Sequence, residues 1–181
     1  HPYGVATLPR MASGKNHALE MYDEIAATLP SREIAARALY SKALLLNKMR
    51  DRKESIEVLQ TITRRFPKHQ LAADAYEKIS EIYLENVKLE AQNPDLLALA
   101  QINFQNFERS FPSDERVDVL SGNIAKMREL YGAALFDTGR FYEKKKKPKA
   151  SRIYYRDAIA RYPKTEAAEK SRERLEALAA K

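Results

Sequence analysis

The residues that most often carry out chemistry in proteins are sparse in this sequence and do not fall at the spacings that chemistry needs. The three histidines, His1, His17 and His69, are isolated, and none belongs to a metal-binding pattern such as His-Glu-x-x-His. The chain has no cysteine, which excludes disulfides, thiolate catalysis and cysteine-ligated zinc. No glycine-rich loop that could hold a phosphate is found either. We therefore predict that the protein is not an enzyme and that it uses no metal ion or cofactor.

Electrostatic binding is the chemistry that the sequence favours, because positive charge is concentrated near the C-terminus. Residues 1–115 contain 15 Lys and Arg against 16 Asp and Glu, whereas residues 116–181 contain 17 against 9. Such a region attracts acidic proteins, anionic lipids or nucleic acids. The densest run is Lys144–Lys147 with Lys149. Its candidate roles are a nuclear-type signal and a contact for a phospholipid or an acidic partner. The preferred interpretation is a solvated turn. Its charges are not interleaved with aromatic residues as a strand-binding platform requires, so we predict no nucleic-acid partner.

Helices must position these charges, because helix-forming residues dominate the composition and the chain has only five glycines. A large residue followed by proline recurs along the chain, with spacings of 37, 45 and 51 residues. The four steps are Leu29-Pro30, Phe66-Pro67, Phe111-Pro112 and Tyr162-Pro163. Proline cannot donate a helical N–H group, so each step is predicted to end one helix and reset the chain before the next.

A period of about 34 residues that ends in proline is typical of tetratricopeptide repeats, in which each repeat is a pair of antiparallel helices. The internal positions also match. In the repeat that ends at Pro163, Gly139 takes the small position of the first helix, and Ser151, Tyr155 and Ala158 take the packing positions of the second. We therefore predict an all-α fold, a superhelical solenoid of antiparallel helix pairs.

The predicted organisation is an extended N-terminal tail at residues 1–14 followed by a single solenoid at residues 15–181. The solenoid is divided into a half repeat at 15–30, full repeats at 31–67, 68–112 and 113–163, and a capping helix at 164–180. The middle repeat is long because a turn is inserted at Asn93-Pro94-Asp95. The last is long because its first helix is predicted to extend over about 25 residues from Val117, despite Gly122 and Gly132.

A repeat solenoid acts through its surface, and the first helix of each repeat is expected to line its concave side. The predicted lining residues are Arg37, Tyr40, Leu44 and Asn47 in the first full repeat, Asp74, Glu77, Glu81 and Leu84 in the second, and Phe136, Arg140 and Glu143 in the last. This mixture of apolar and polar groups is typical of a groove that binds a peptide. The alternative is a solvated face, but Tyr40 and Leu44 favour binding. His69 is predicted to be a solvated turn residue.

The C-terminal half of the sequence carries a more specific set of motifs. A helix ends in Phe-Pro-Ser-Asp at residues 111–114, and a long helix then passes through Gly-Arg-Phe-Tyr at residues 139–142. A short basic turn leads to the segment SRIYYRDAIARYPKT at residues 151–165, and a terminal helix rich in Ala and Glu follows. In these features, and over roughly residues 30–180, the chain resembles the BamD family of outer-membrane β-barrel assembly lipoproteins.

The resemblance implies a scaffold at the periplasmic face of the outer membrane of a Gram-negative bacterium. Members of the family dock the periplasmic domains of the assembly channel subunit through their C-terminal repeats, act with other assembly lipoproteins, and receive unfolded outer-membrane proteins. Arg140, Arg152 and Arg156 are then expected to contact an acidic face of the channel subunit, and Tyr40 and Leu44 to line the N-terminal groove. The family is held in the membrane by an acylated N-terminal cysteine. This chain contains no cysteine, so membrane contact is expected only through an anchor that is not present in it.

Two alternatives to this interpretation remain. One is another periplasmic adaptor, such as a cell-division or envelope coordinator, although such proteins keep a more regular repeat period than this chain has. The other is a soluble adaptor that binds peptide C-termini. Grooves of that kind carry a clamp of lysine, arginine and asparagine residues, of which only Arg37 and Asn47 are present here.

Overall fold

The computed structural model describes residues 10–28 and 32–180. Within these ranges the backbone forms eight α-helices and no strand: α1 Arg10–Thr28, α2 Arg32–Lys48, α3 Arg52–Arg65, α4 Gln70–Leu89, α5 Asp95–Ser110, α6 Arg116–Lys144, α7 Pro148–Arg161 and α8 Glu166–Ala179. The chain divides into two compact units, of which the first ends at Lys78 and the second begins at Ile79. The predicted all-α fold of tetratricopeptide helix pairs is confirmed. The predicted repeat limits and the single solenoid stay predictions.

The N-terminal helix starts earlier than the sequence indicated. Helix α1 begins at Arg10, so the predicted extended tail is wrong for residues 10–14. The stretch Arg10–Lys15 contains mostly strong helix formers, and the single Gly14 costs only about 1 kcal/mol, too little to stop the helix. The predicted end of the half repeat at Leu29-Pro30 lies outside the described residues.

In the first unit, α2 packs against both α1 and α3. Ala43 is fully buried, and its carbonyl oxygen accepts a hydrogen bond of 2.7 Å from the Ser55 hydroxyl of α3. Leu46, Leu59 and Ile62 fill the space between α2 and α3 and are at most 1% exposed. Burying each of these side chains stabilises the fold by about 1.5–3 kcal/mol. Small residues therefore bring the two helices together, and larger ones close their interface.

In the second unit, the 29-residue helix α6 packs against α5, α7 and α8. The predicted long helix is therefore confirmed. A Cβ atom at Gly139 would lie 2.5 Å from the ring of Tyr155 in α7, so only glycine permits this approach of α6 to α7. A Cβ at Gly132 would lie 3.0 Å from the hydroxyl oxygen of Thr165. On another face of α6, the Asn123 side chain donates a 3.2 Å hydrogen bond to Ser80.

The three described corners at a residue–proline step share one backbone conformation, as the repeat pattern predicts. The residues before the prolines are Phe66, Phe111 and Tyr162, and they have φ between −129° and −136° and ψ between 53° and 60°. Each donates its N–H group to the carbonyl four residues earlier, which ends the helix. The following proline fixes the turn that starts the next helix.

The turns that join the two helices of a repeat are also alike in the first and last repeats. Arg50 and Lys146 both have a positive φ, 66° and 55°. Each donates its N–H group to the carbonyl three residues earlier, and the next residue donates to the carbonyl five residues before it. These paired bonds are the Schellman motif, in which glycine commonly takes the left-handed position. Both turns therefore have the same length and the same hydrogen bonds.

Candidate functional site

The predicted binding face of the first unit lies along α2. Arg37 is exposed and forms an ion pair of 2.6 Å with Glu33, one helical turn earlier. Leu44 is 41% exposed, and Tyr40 and Asn47 are half-buried. The spacing of these four residues places them on one face of the helix. The structure therefore brings the predicted residues together on a single mixed surface of apolar and polar groups.

The acidic residues predicted to line the groove in the next repeat lie on α4. Asp74, Glu77 and Glu81 are half-buried. Leu84 is only 9% exposed, so its predicted role on an open surface is wrong. It lies one helical turn from Ser80 and Val87, which are both buried, and therefore belongs to the packed face of α4.

In the second unit, two of the predicted lining residues of α6, Phe136 and Glu143, contact α7 or α8 and are only partly exposed. The Phe136 ring lies 5.6 Å from the ring of Tyr155. Glu143 accepts a hydrogen bond of 2.7 Å from the Tyr155 hydroxyl and a charge-assisted bond from the guanidinium of Arg174 in α8. The bond from Arg174 and the one from Tyr155 hold the pKa of Glu143 below its ordinary value. Burial and the Glu143 charge raise the pKa of Tyr155. We call Glu143, Tyr155 and Arg174 the three-helix tie.

The three arginines expected to contact a partner differ in how open they are. Arg156 on α7 is exposed and has no ion-pair partner among the described residues. Arg140 on α6 is half-buried and lies close enough to Glu143 to help lower its pKa. Arg152 donates a 2.8 Å hydrogen bond to the carbonyl of Leu178, near the C-terminal end of α8. A cation in this position stabilises the end of a helix, so Arg152 has a structural role and is less available than the other two.

An exposed apolar patch on the second unit was not predicted from the sequence. Phe141 is 53% exposed and contacts Tyr142 edge-on, with ring centroids 5.4 Å apart. Tyr142 in turn stacks on Tyr154 at 5.4 Å, and Ile153 beside it is 60% exposed. The Phe141-Tyr142 pair is the sequence feature that could have revealed this patch. Adjacent residues of a helix point in different directions, so one packed face cannot bury both rings. We call Phe141, Tyr142, Ile153 and Tyr154 the aromatic patch.

The lysine run borders this patch. Lys144 ends α6, and Lys145–Lys147 form the turn to α7, as predicted. The Lys145 ammonium group lies 5.6 Å from the centre of the Phe141 ring, within the range of a cation–π contact. Lysines at a helix C-terminus also stabilise the helix by interacting with the negative end of its dipole. The run therefore has a local structural role, and it places positive charge beside exposed apolar surface.

His69 differs from its prediction as a solvated residue. Its side chain is 20% exposed, and Nδ1 accepts a hydrogen bond from the Leu71 N–H group at the start of α4. Nε2 therefore carries the proton and donates to Glu33 of α2. This bond and the one from Arg37 lower the pKa of Glu33. His69 thus links the start of α4 to α2.

The described part of the chain also limits the kinds of site that are present. Within it, no three His, Asp or Glu side chains lie together in a way that could hold a metal ion. None of the helices in the same ranges is both long and apolar enough to cross a bilayer. The features that stand out are exposed helix surfaces, which are candidate binding sites.

Comparison with known proteins identifies the repeats. The tetratricopeptide-repeat family model matches residues 37–69 and 133–165. A search of curated proteins finds no match to the chain. Residues 37–69 comprise most of α2, α3 and the following corner, and residues 133–165 comprise the end of α6, α7 and its corner. Repeats of this type present surfaces that bind other proteins. The chain is therefore a protein that contains tetratricopeptide repeats and has the architecture of a protein-interaction scaffold.

Proposed function

We propose that the chain is a non-enzymatic scaffold of the machinery that assembles β-barrel proteins in the outer membrane. In this role it docks the periplasmic domains of the channel subunit and receives unfolded outer-membrane proteins. The proposal rests on the BamD-like motifs between residues 111 and 165 and on the protein-binding character of the repeats. It places the protein at the periplasmic face of the outer membrane, held by a lipid anchor outside this sequence and working beside other assembly lipoproteins.

The observation that carries this proposal is the basic surface at the end of the chain. Arg156 is exposed on α7, and Arg140 is half-buried on α6, beside the three-helix tie. Because the tie joins α6, α7 and α8, both arginines project from a support that is held in place. A positive surface with fixed geometry favours rapid and specific docking of an acidic partner.

The first unit supplies the second surface that a scaffold needs. Tyr40 and Leu44 offer apolar area on α2, and the ion pair of Arg37 with Glu33 provides a polar border. An unfolded client could lie along this face with its apolar side chains against Tyr40 and Leu44. Holding a client and a channel subunit on one chain raises the effective concentration of each for the other.

A binding measurement tests the docking role. The full chain is titrated by calorimetry with purified periplasmic domains of the channel subunit, and the same is done with Arg140→Glu/Arg156→Glu. We expect the double variant to bind at least about tenfold more weakly, because it reverses two interface charges. Lys147→Glu/Lys149→Glu makes the same change in net charge at the α6–α7 turn and is expected to bind within about twofold of the parent. Equal weakening by both variants, or no binding by the parent, would contradict the proposal.

The anchor is tested separately on the native protein. It is extracted from membranes, its intact mass is measured and its N-terminal peptide is sequenced. We expect a diacylated or triacylated cysteine upstream of His1. An unmodified N-terminus on protein recovered from a soluble fraction would reject the anchored role.

The alternative is a periplasmic or soluble tetratricopeptide adaptor for another protein or peptide, such as an envelope coordinator. The aromatic patch favours a partner with an apolar as well as an acidic surface, because Phe141 and Ile153 are each more than half exposed. The same calorimetric assay distinguishes the two roles. No binding to the channel domains, together with binding of a purified division protein through the aromatic patch, would support the adaptor role.

A further inference from the structure

Two of the three described corners share a sequence that the fold itself does not require. One reads Arg65-Phe66-Pro67-Lys68, and another reads Arg161-Tyr162-Pro163-Lys164. The corner between α5 and α6 reads Ser110-Phe111-Pro112-Ser113 instead, yet it has the same backbone conformation. The corner therefore forms without the flanking arginine and lysine. Another cause is needed for their presence in the other two.

In the first unit, the corner opens into a pocket of about 670 Å³. Its lining residues are Arg32, Arg64, Arg65, Phe66, Pro67, Lys68 and His69, and none of them is acidic. The Arg65 guanidinium lies 5.1 Å from the centre of the Phe66 ring, which holds it over the apolar wall. Arg32 and Lys68 are exposed and form no ion pair with the residues that the structure describes. The pocket is a positive site in a half of the sequence that is otherwise close to neutral.

In the second unit, the corresponding corner opens into a pocket of about 550 Å³. Arg128, Arg161 and Lys164 supply its charge, and Tyr162 and Pro163 again form the apolar wall. The Arg161 guanidinium lies 5.7 Å from the centre of the Tyr162 ring, as Arg65 lies over Phe66. No acidic residue lines this pocket either.

The two pockets share three cations and an aromatic–proline pair at corresponding positions of the sequence. The two ranges that match the family model start 96 residues apart and have equal length. At this offset Arg32 corresponds to Arg128, Arg65 to Arg161 and Lys68 to Lys164. The same three cations thus recur around the same aromatic–proline wall in both units.

The carboxylates that follow Arg32 and Arg128 in the sequence, Glu33 and Glu129, form their hydrogen bonds with other groups. Glu33 binds His69 and Arg37, and Glu129, its counterpart in the second unit, accepts hydrogen bonds from the N–H groups of Glu166 and Ala167. Cations that are grouped without a counter-charge repel one another. An anion in the pocket would relieve that repulsion and gain charge-assisted hydrogen bonds.

We propose that each corner pocket binds the carboxylate side chains of an acidic segment of a partner protein. The inference rests on the proposed role in protein binding, but it concerns a surface that contains neither Arg140 nor Arg156. A carboxylate would be held between the two arginines and the lysine of the corner, and an apolar neighbour in the same segment would contact the exposed ring of Pro67 or Pro163. Two pockets on one chain would bind one segment each.

The shape of the pockets favours a protein segment over other anionic partners. The rings of Phe66 and Tyr162 are 7% and 6% exposed, so neither offers a face on which a nucleic-acid base could stack. Among the described residues, none of the exposed large apolar side chains lines either pocket, so apolar anchoring in a lipid surface has no support there.

Calorimetry with a defined probe tests the proposal. The probe is a synthetic peptide of about 12 residues in which pairs of glutamate alternate with leucine, because a carboxylate site should bind through charge-assisted bonds. Its control replaces every glutamate with glutamine. We expect two acidic peptides to bind per full chain, with affinity that falls as salt is raised from about 50 to about 500 mM. The glutamine peptide is expected to give no measurable binding.

Charge reversal then assigns each site. Arg32→Glu/Lys68→Glu is expected to remove the site in the first unit. Arg128→Glu/Lys164→Glu is expected to remove the site in the second unit, and the variant with all four changes should have neither site. Lys147→Glu/Lys149→Glu, with the same change in net charge, is expected to keep both sites with affinity within about twofold of the parent. Helical circular dichroism verifies that each variant is folded.

Several outcomes would overturn the inference. These are equal weakening by the lysine-turn control, equal binding of the glutamine peptide, and displacement of the peptide by phosphatidylglycerol vesicles or by a single-stranded oligonucleotide. Binding to the channel domains is measured on the same variants. If the corner variants bind the acidic peptide with the stoichiometry and affinity of the parent, while Arg140→Glu/Arg156→Glu still weakens channel docking, the corner inference fails and the docking role stands.

Discussion

The two repeats that match the family model lie one in each unit, and their helices are held together by different interactions. At the small position of the first helix of the repeat, the first unit has Ala43 and the second has Gly139. Facing positions on the second helix hold Leu59 and Tyr155, and both are fully buried. A larger ring in the second unit thus requires a smaller residue opposite it. The repeat specifies the summed volume of the pair, and not either residue alone.

The polar links differ as well. In the first unit, the Lys42 ammonium lies 2.8 Å from Asp23 of α1 and 3.8 Å from Glu54 of α3. In the second, the three-helix tie joins α6, α7 and α8 through Glu143. Each unit therefore joins three helices with one central charged residue, but the sign of that charge is reversed. The two central residues are not equivalent, because at the repeat offset of 96 residues Lys42 corresponds to Thr138 and Glu143 to Asn47. The repeat therefore fixes neither the position nor the charge of the cross-link.

The largest effect is expected from making the second unit resemble the first at its tightest contact. Gly139→Ala places a methyl group 2.5 Å from the Tyr155 ring and should destabilise the second unit by about 3 kcal/mol. Chemical denaturation with amide hydrogen exchange at α6–α8 measures the loss. Gly139→Ala/Tyr155→Leu, which recreates the Ala43 and Leu59 pair, should be more stable than the sum of its single changes. Strict additivity of the two changes would contradict the volume argument.

The second expected effect concerns acid stability. Glu143→Gln removes the charge on which the three-helix tie depends and should cost about 2 kcal/mol at neutral pH. The pKa of Glu143 is lower in the folded than in the unfolded chain. Ionised Glu143 therefore contributes fully to the free energy of unfolding above its ordinary pKa of 4.5, and this contribution is lost as the pH falls below that value. The parent and the variant should therefore converge in stability on acidification. Unfolding curves measured between neutral pH and acid would show this, and a constant difference would count against it.

The corners and the contacts between helices differ in how far they could be predicted from the sequence. The corners at Phe66, Phe111 and Tyr162 and the close contact at Gly139 were predictable, because proline and glycine impose backbone constraints that act locally. The three-helix tie was not, since Arg174 lies 31 residues from Glu143 and a helical spacing pattern shows only near neighbours. His69 was misjudged for the same reason, because Glu33, which it binds, belongs to another helix. The bond from Arg152 to the carbonyl of Leu178 in α8 could not be predicted either, and the role of Arg152 in partner binding stays a prediction.

A smaller effect is expected at the helix start after the last corner. The Thr165 hydroxyl accepts a 3.1 Å hydrogen bond from the Ala168 N–H group, the role that His69 performs for Leu71 in the first unit. Thr165→Ala should destabilise the second unit by about 1 kcal/mol. Thr165→Ser keeps the hydroxyl and should stay close to the parent. Thermal unfolding of the three proteins compares them, and equal loss in both variants would point to the methyl group instead of the cap.

The smallest effect, with the opposite sign, is expected at Gly122. A Cβ atom there would meet nothing within 4 Å, unlike one at Gly139 on the same helix. Gly122→Ala should therefore stabilise α6 by up to about 1 kcal/mol through helix propensity alone. An increase in the denaturation midpoint would verify it. A decrease would mean that the glycine of α6 is needed at this position for a reason beyond local packing.

The matching turns at Arg50 and Lys146 have a consequence for how this chain could be rebuilt. A left-handed residue with a side chain is held there at a cost of about 1 kcal/mol, and both turns accept that cost with identical hydrogen bonds. Because their ends are set by the same backbone geometry, residues 49–50 and 145–146 are interchangeable connectors. Asp51 has to stay, because its side chain caps α3 by accepting a hydrogen bond from the Glu54 N–H group. A lysine-rich turn could be moved to the first unit, or removed from the second, without altering the helices on either side. The surface charge of each repeat can therefore vary independently of its architecture.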